Sequence, residues 1–385
     1  MSHQPIVVSE CKSSAERRQF VEFQWEIYKD NPQWVPPLIS ERMAFYDRTK
    51  NPFFEHSDAA LFVARRGGHI VGTIVAILNN RHNAIHHERT GFFGGFECIN
   101  DFEVARALFD TARDWVKARG MTVLRGPTTL SFNDEIGLLI RGFEKPPRVL
   151  MPYNPPYYAE LVERYGFQKA MDLYAWWVST QTAADKRLAQ LERIAAGIQK
   201  RKNFVVRNAD FRQLDREVAA LKRIYASSEG AWRDNWGHVP MTDHELAHVV
   251  RNLKQFADPD FILIAEVGGE PVGLAVSLPD VNQPLRKAYP NPRTLELWTL
   301  LKFLWYRRTT INAVRFILLG TLPEYRASGV ESLLIYRTLE AARRRGYIGG
   351  ELGWILETND AMNRINQAAG AEIEKVYRIY DYRIS

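Results

Sequence analysis

Pro323 to Gly329 reads PEYRASG, a polar turn set between an apolar run of strand length, Phe316 to Leu319, and a stretch with helical spacing. A turn of this kind leads backbone N–H groups into a helix N-terminus, where they can hold phosphate or another anion. Glu351 and Glu357, with Gly353 and Ile355 between them, fall on one face of a strand by period-two alternation. One or both carboxylates could therefore take a proton from a nucleophile near the strand end; a structural ion pair is their other common use. His238 shares a loop with Trp232, Asn235 and Trp236. It is a further candidate for proton transfer, or a histidine that is merely solvated.

The elements that must position these residues follow from spacing. Val330, Leu333, Leu334, Leu339 and Ala341 mark the buried stripe of a helix that ends at Arg343, Arg344 and Arg345, with Gly346 behind them. A second strand, Glu351 to Glu357, closes the unit. The order is strand, anion-binding turn, helix, strand. Glu331 stands in the first helical turn, where a carboxylate competes with a bound phosphate unless it turns outward.

Arg326, Ala327, Ser328, Gly329 and Val330 resemble the Q/R-x-x-G-x-G/A pyrophosphate loop of the GNAT (Gcn5-related N-acetyltransferase) superfamily, and the order of elements around them matches too. The resemblance implies an acyl-CoA thioester as co-substrate, its diphosphate held by that loop, and no metal. It also implies a pair of parallel strands that splay apart. Gly320, Thr321 and Leu322 would offer amides to the thioester carbonyl, and Glu357, or less directly Glu351, would take the amine proton. Asn359 would touch the pantetheine arm. The family's usual acid, a Tyr in the next helix, is replaced by Asn366, so Tyr380 or Tyr377 of the last strand becomes the candidate proton donor, with an aromatic core role as the alternative.

At 385 residues, with 46% hydrophobic and 25% charged residues, the chain can bury more than one core. A net charge of +6 favours anionic partners, but scattered cations and the lack of a reading motif argue against nucleic acid. Two cysteines, Cys11 and Cys98, give neither a disulfide framework nor a zinc site, which fits a reducing compartment.

A repeat runs through the chain. Ile27-Tyr28 and Trp34 recur as Ile224-Tyr225 and Trp232, and the hairpin around Val71-Gly72 recurs around Val272-Gly273, each about 200 residues later. With the resemblance, this predicts an α/β (α+β) chain of two tandem GNAT-like domains, each a mixed, mostly antiparallel twisted sheet flanked by helices. Residues 1–178 would form a degenerate copy, in which Gly94, Gly95, Phe96 and Glu97 replace the phosphate loop and Asp101 and Glu103 repel an anion. Residues 179–385 would carry the working loop, after a connector helix marked by Leu188, Leu191, Ile194 and Ile198.

The first copy also carries an insertion of about twenty residues rich in Gly, Pro and aromatics. The second has an excursion holding the most hydrophobic stretch, Leu295 to Tyr306, closed by Arg307 and Arg308. It is too short to cross a bilayer; it could lie at a lipid interface, line an acyl tunnel or pack as a buried lid. Without a signal-peptide pattern or a run of about 18 apolar residues, a cytoplasmic location is expected, with peripheral contact at the inner membrane face as the alternative.

Over nearly its whole length the chain resembles bacterial tandem GNAT-like proteins that include sphingoid-base N-acyltransferases, in the phrases DNPQWVPPL, KNPFFEH, GFFGGFE, ELGWILETN and YRIYDY. That implies an N-acyltransferase moving an acyl group, expected to be long, from acyl-CoA or an acyl carrier protein to a primary amine, with a lipid amine as one candidate. Trp232, Asn235 and Trp236 would line the acceptor side. A transferase for small amines or amino acids and a non-catalytic acyl-CoA binding module remain the alternatives.

Overall fold

The structure, a computed structural model, describes residues 4–181, 192–193, 195–198, 204–226, 230–232, 235–326 and 328–385. Ala327 and most of the expected connector helix, with Leu188, Leu191 and Ile194, lie outside them. The chain forms two compact units: Met1–Asp172 with Pro284–Tyr306 and Val376–Ser385, and Leu173–Gln283 with Arg307–Lys375.

The chain begins with β1 (Ile6–Glu10), α1 (Ser14–Glu22), α2 (Gln24–Ile27), α3 (Ile39–Phe45), β2 (Asp58–Arg66), β3 (His69–Leu78), α4 (Asn80–His86), β4 (Thr90–Cys98) and α5 (Phe102–Lys117). Next come β5 (Val123–Gly126), β6 (Leu138–Arg141), α6 (Tyr158–Tyr165) and β7 (Gln168–Ser179). It continues with β8 (Val205–Asn208), α7 (Leu214–Leu221), α8 (Asp243–Lys254), β9 (Ile262–Val267), β10 (Glu270–Pro279), α9 (Asn282–Ala288) and α10 (Glu296–Thr310). It ends with β11 (Ala313–Thr321), α11 (Val330–Arg344), β12 (Gly349–Leu356), α12 (Asp360–Ala368) and β13 (Glu372–Arg383).

In the first unit β1, β2, β3 and β4 pair antiparallel in sequence order, β4 runs parallel to β5, and Val376–Arg383 of β13 pairs antiparallel with both β5 and β6. In the second, β8, β9, β10 and β11 pair antiparallel, β11 runs parallel to β12, and β12 takes Leu173–Ser179 of β7 as its antiparallel neighbour. Each mixed sheet therefore has one parallel pair at the equivalent place, as the repeat requires. Each is also completed by a strand from the other half of the sequence.

The repeated hairpins share a turn. Gly67-Gly68 and Gly268-Gly269 all have positive φ, between 59° and 85°, the conformation a two-residue connection needs and a side chain resists. The cores follow the apolar periodicity. Phe93, Phe96 and Phe167 pack around Phe109 of α5 in the first unit, and α11 lays Leu333, Leu334, Ile335 and Leu339 against the second sheet. Each such side chain contributes about 1.5–3 kcal/mol through burial.

The first helical stretch breaks at Phe23 into α1 and α2, and α7 stops at Leu221 and widens into a π-turn over Lys222–Ala226. One local expectation changes. Gly94 to Glu97 form no turn but lie within β4, because the backbone of Thr128 packs where a Gly94 side chain would stand, 1.6 Å from the ideal Cβ position. Among the described residues, no helix is long and apolar enough to cross a membrane.

Candidate active site

The parallel pair of the second unit opens like a V. β11 and β12 are in register from Ala313↔Gly349 to Phe316↔Leu352, and there the pairing stops. Both strands continue on other partners: β11 stays on β10 as far as Thr321, and β12 stays on β7 as far as Leu356. The gap is thus built by each strand following a different neighbour. Buried charge fastens its closed end. Lys375 and Glu351, both fully buried, pair at 2.7 Å, and Arg315, in register with Glu351, donates to the Gly353 carbonyl at 3.1 Å.

Of the three expected amides, that of Leu322 donates to the Val272 carbonyl on β10 at 2.9 Å. Alternation then turns the Thr321 N–H to the opposite edge, toward the gap. The Thr321 hydroxyl is buried too and has no hydrogen-bond partner among the described residues. Gly320 serves by lacking a side chain, since a Cβ there would lie 2.6 Å from Cη2 of Trp232 and 2.8 Å from the Ala231 Cβ.

Trp232 belongs to a short turn in which Asn235 N–H donates to the Trp232 carbonyl and His238 N–H donates to that of Asn235. Tyr225 packs edge-on against both the Trp232 and His238 rings. The structure thus sets the Trp232 turn, with Asn235 and His238, against Gly320. Trp236 is half-buried in the same turn.

The candidate anion-binding turn leads into α11. Pro323–Tyr325 makes a single 3-10 turn, Ser328 N–H returns to the Tyr325 carbonyl, and Gly329, with φ of +89°, is the N-cap of α11. No side chain caps that helix at Gly329. The Ser328 hydroxyl accepts from Val330 N–H at 3.3 Å, and the Arg326 guanidinium donates to the Ala231 carbonyl at 3.1 Å, tying the turn to the Trp232 loop. Ala327, the remaining expected member, lies outside the described residues. Glu331 does not turn outward; it is buried in the first turn of α11.

The carboxylates are not on one face. The β12–β7 register shifts between Leu352 and Ile355, and this extra residue flips the alternation, so Glu351 and Ile355 point to opposite sides. Glu351 is spent on the buried pair with Lys375. Glu357 lies just beyond β12, half-buried, its carbonyl accepting from the Asn363 side chain at 3.3 Å. Asn359 uses its side-chain oxygen to cap α12, accepting from Met362 N–H at 3.2 Å. Asn366 is fully buried, and neither polar atom of its side chain has a partner among the described residues.

Tyr380 belongs to the first unit. It is buried beside β5, in register with Gly126, and its hydroxyl donates to Glu163 at 2.9 Å; burial, reinforced by that carboxylate, pushes its pKa up. Tyr377 lies on the same strand, paired with Leu139. Two residues of the second unit escaped the sequence reading: Lys375, whose lysine within an aromatic strand was the available signal, and Ala231, which has none.

The equivalent place in the first unit is closed. Beyond Phe92↔Arg125, Thr128 N–H donates to the Phe93 carbonyl at 2.8 Å, filling the space between β4 and β5. The start of α5 is capped by the carboxylate of Asp101, which also pairs with Arg66 at 2.8 Å.

No family model matches the chain. It is 35% identical over 376 residues to Protein YghO of Escherichia coli K12, covering 95% of this chain and 93% of that protein. It is 34% identical over 385 residues to the Bacterial ceramide synthase of Caulobacter vibrioides, covering 98% and 97%. Among solved structures, a tandem GNAT protein from the clavulanic acid biosynthesis pathway matches with a TM-score of 0.56 at 12% identity over 98% of each chain. A GCN5-related N-acetyltransferase from Sphaerobacter thermophilus matches at 0.52 and 12%, covering 98% and 95%. With its fold shared end to end with a tandem GNAT structure and about a third of its residues shared with these two relatives, the chain belongs to the GNAT-fold acyltransferase family that includes the bacterial ceramide synthase.

Proposed function

We propose that the second unit carries a long acyl group from coenzyme A to the primary amine of a sphingoid base, forming an amide. The parting of β11 from β12 after Phe316 and Leu352 carries this reading, because it frees the β11 edge that bears the Thr321 amide beside a helix N-terminus whose N-cap, Gly329, has no side chain. Acyl-CoA is the reaction's substrate here. Its diphosphate would meet the backbone of Arg326, Ala327, Ser328, Gly329 and Val330, and its thioester carbonyl the Thr321 amide, with Gly320 leaving room. Asn359 stands at the β12 end where the pantetheine arm would pass. The amine nitrogen forms its bond to the carbonyl carbon, the C–S bond breaks, and the thiolate takes up a proton.

Glu357, at the open end of the strand, is the residue we propose as base, with His238 as the second candidate. Trp232, Asn235 and Trp236 would form the acceptor side. The lipid acceptor draws support from the 34% identical relative whose name is bacterial ceramide synthase. We further propose two copies, 1–178 and 179–385, with only the second binding the thioester; the Thr128 backbone and the Asp101 cap support a first copy without that role.

The test is to incubate the full chain with palmitoyl-CoA and a thiol reagent, adding sphinganine, an amino acid or a polyamine in turn. Thiol release with sphinganine alone is expected. Release only with the small amines overturns the lipid acceptor, and failure to bind any CoA ester overturns the site.

A further inference from the structure

Helix α10 (Glu296–Thr310) turns its apolar side chains outward. Thr299 and Phe303 are the buried positions, and they lie on one face by helical spacing. On the opposite side Leu297, Leu301 and Leu304 are exposed, flanked by Trp298 and by Trp305, which is 76% exposed. Amphipathic helices of water-soluble surfaces have the reverse arrangement. The packed-lid alternative therefore fails for this face, and side chains this exposed do not line a closed tunnel.

The surrounding charge indicates what covers it. Between Leu285 and Thr310 stand Arg286, Lys287, Arg293, Lys302, Arg307 and Arg308, against one carboxylate, Glu296. That carboxylate is spent on Ser40, whose N–H and hydroxyl both donate to it. The segment before the helix is held by Trp25, whose indole N–H donates to the Pro290 carbonyl at 2.9 Å. All five outward apolar residues belong to the first unit, so the patch sits on one body.

We propose that α10 is a docking helix that lies in the plane of an anionic phospholipid surface, its leucines and tryptophans in the acyl boundary and its cations among the head groups. At 15 residues the helix is about 22 Å long, too short to cross the roughly 30 Å core. A second copy of the chain fits less well. The face is rimmed by an excess of cations, so a contact with the same face of a second copy would bring like charge to like. Docking needs no acyl transfer and is measured without substrate.

The full-length protein is floated with vesicles of phosphatidylcholine alone and of phosphatidylcholine with about one-third phosphatidylglycerol, at low salt and at about 0.5 M salt. Binding to the anionic vesicles at low salt is expected, with a blue shift of tryptophan emission. Leu301→Glu with Leu304→Glu should weaken partitioning about tenfold or more. Lys302→Glu with Arg308→Glu should remove the preference for anionic lipid. Both pairs change exposed positions, and circular dichroism checks that they fold. No flotation with either vesicle, or flotation that the leucine variants leave unchanged, overturns the proposal. A dimer in gel filtration that the leucine variants dissociate also overturns it, and assigns the face to a second copy.

Discussion

The indole of Trp232 rests on the bare Cα of Gly320, leaving no room for even a methyl group between them. Gly320→Ala should push the ring and the His238 turn off the end of β11. Turnover is expected to fall about tenfold or more for a displacement near 1 Å, with a changed Trp emission spectrum. Unchanged kcat/KM would remove this contact from the site.

At the start of α11, Gly329→Val meets two obstacles. Its φ of +89° disfavours a β-branched residue, and a Cβ would approach Ile198 Cδ1 to 2.5 Å. CoA affinity should be abolished in calorimetry. Gly94 is a poor control, because any side chain there strikes the Thr128 backbone. Asp101→Ala is the better one: it should cost about 1 kcal/mol of stability through a lost cap while CoA affinity stays intact. Equal losses of affinity would mean the roles of the units are misassigned.

Glu331 remains in the first turn of α11, where it would oppose the proposed diphosphate. Glu331→Gln is expected to tighten CoA binding a few-fold, by about 0.3–1 kcal/mol. Weaker binding would show that the carboxylate organises the loop instead.

The two carboxylates should separate cleanly. Glu357→Gln is expected to lower kcat by about 100-fold or more if it is the base, with thioester affinity kept; unchanged turnover ends its candidacy. Glu351→Ala should instead destabilise the fold, by about 3 kcal/mol or less, because the fully buried Lys375 loses one of its two carboxylate partners and keeps only Glu374, at 3.0 Å. Chemical denaturation distinguishes the two.

In the first unit, burial pushes the Glu97 carboxyl up to about 8, against the lowering effects of the Tyr158 and Tyr28 hydroxyls and Arg42. The folded state thus keeps a proton that the unfolded chain releases near 4.5, so this group's contribution makes stability fall as pH rises from there to about 8. Glu97→Gln should flatten that slope in Tm measured across the window. A variant that keeps the slope would place its origin elsewhere.

Much of this was legible because it rests on period and turn chemistry. The two Gly-Gly hairpins, the helix after Gly329 and the apolar stripe of α11 are local patterns, and the structure keeps them. The shared face of Glu351 and Glu357 was lost to an extra residue at Gly353, which alternation counted along one strand cannot reveal. The engagement of the Leu322 amide by Val272 depends on a neighbouring strand, and the Lys375–Glu351 pair on two strands distant in sequence. Gly94 to Glu97 looked like a degenerate loop because glycines mark turns. Here they give close passage to the Thr128 backbone.

The exchange of final strands bears on how such a chain can evolve. A fragment ending at Val178 would leave β5 and β6 without the Val376–Arg383 segment, and one starting at Ser179 would leave β12 with a bare border open to aggregation. Neither unit's sheet is whole without a segment from the other half of the sequence, so selection for one unit's chemistry would preserve the other as architecture.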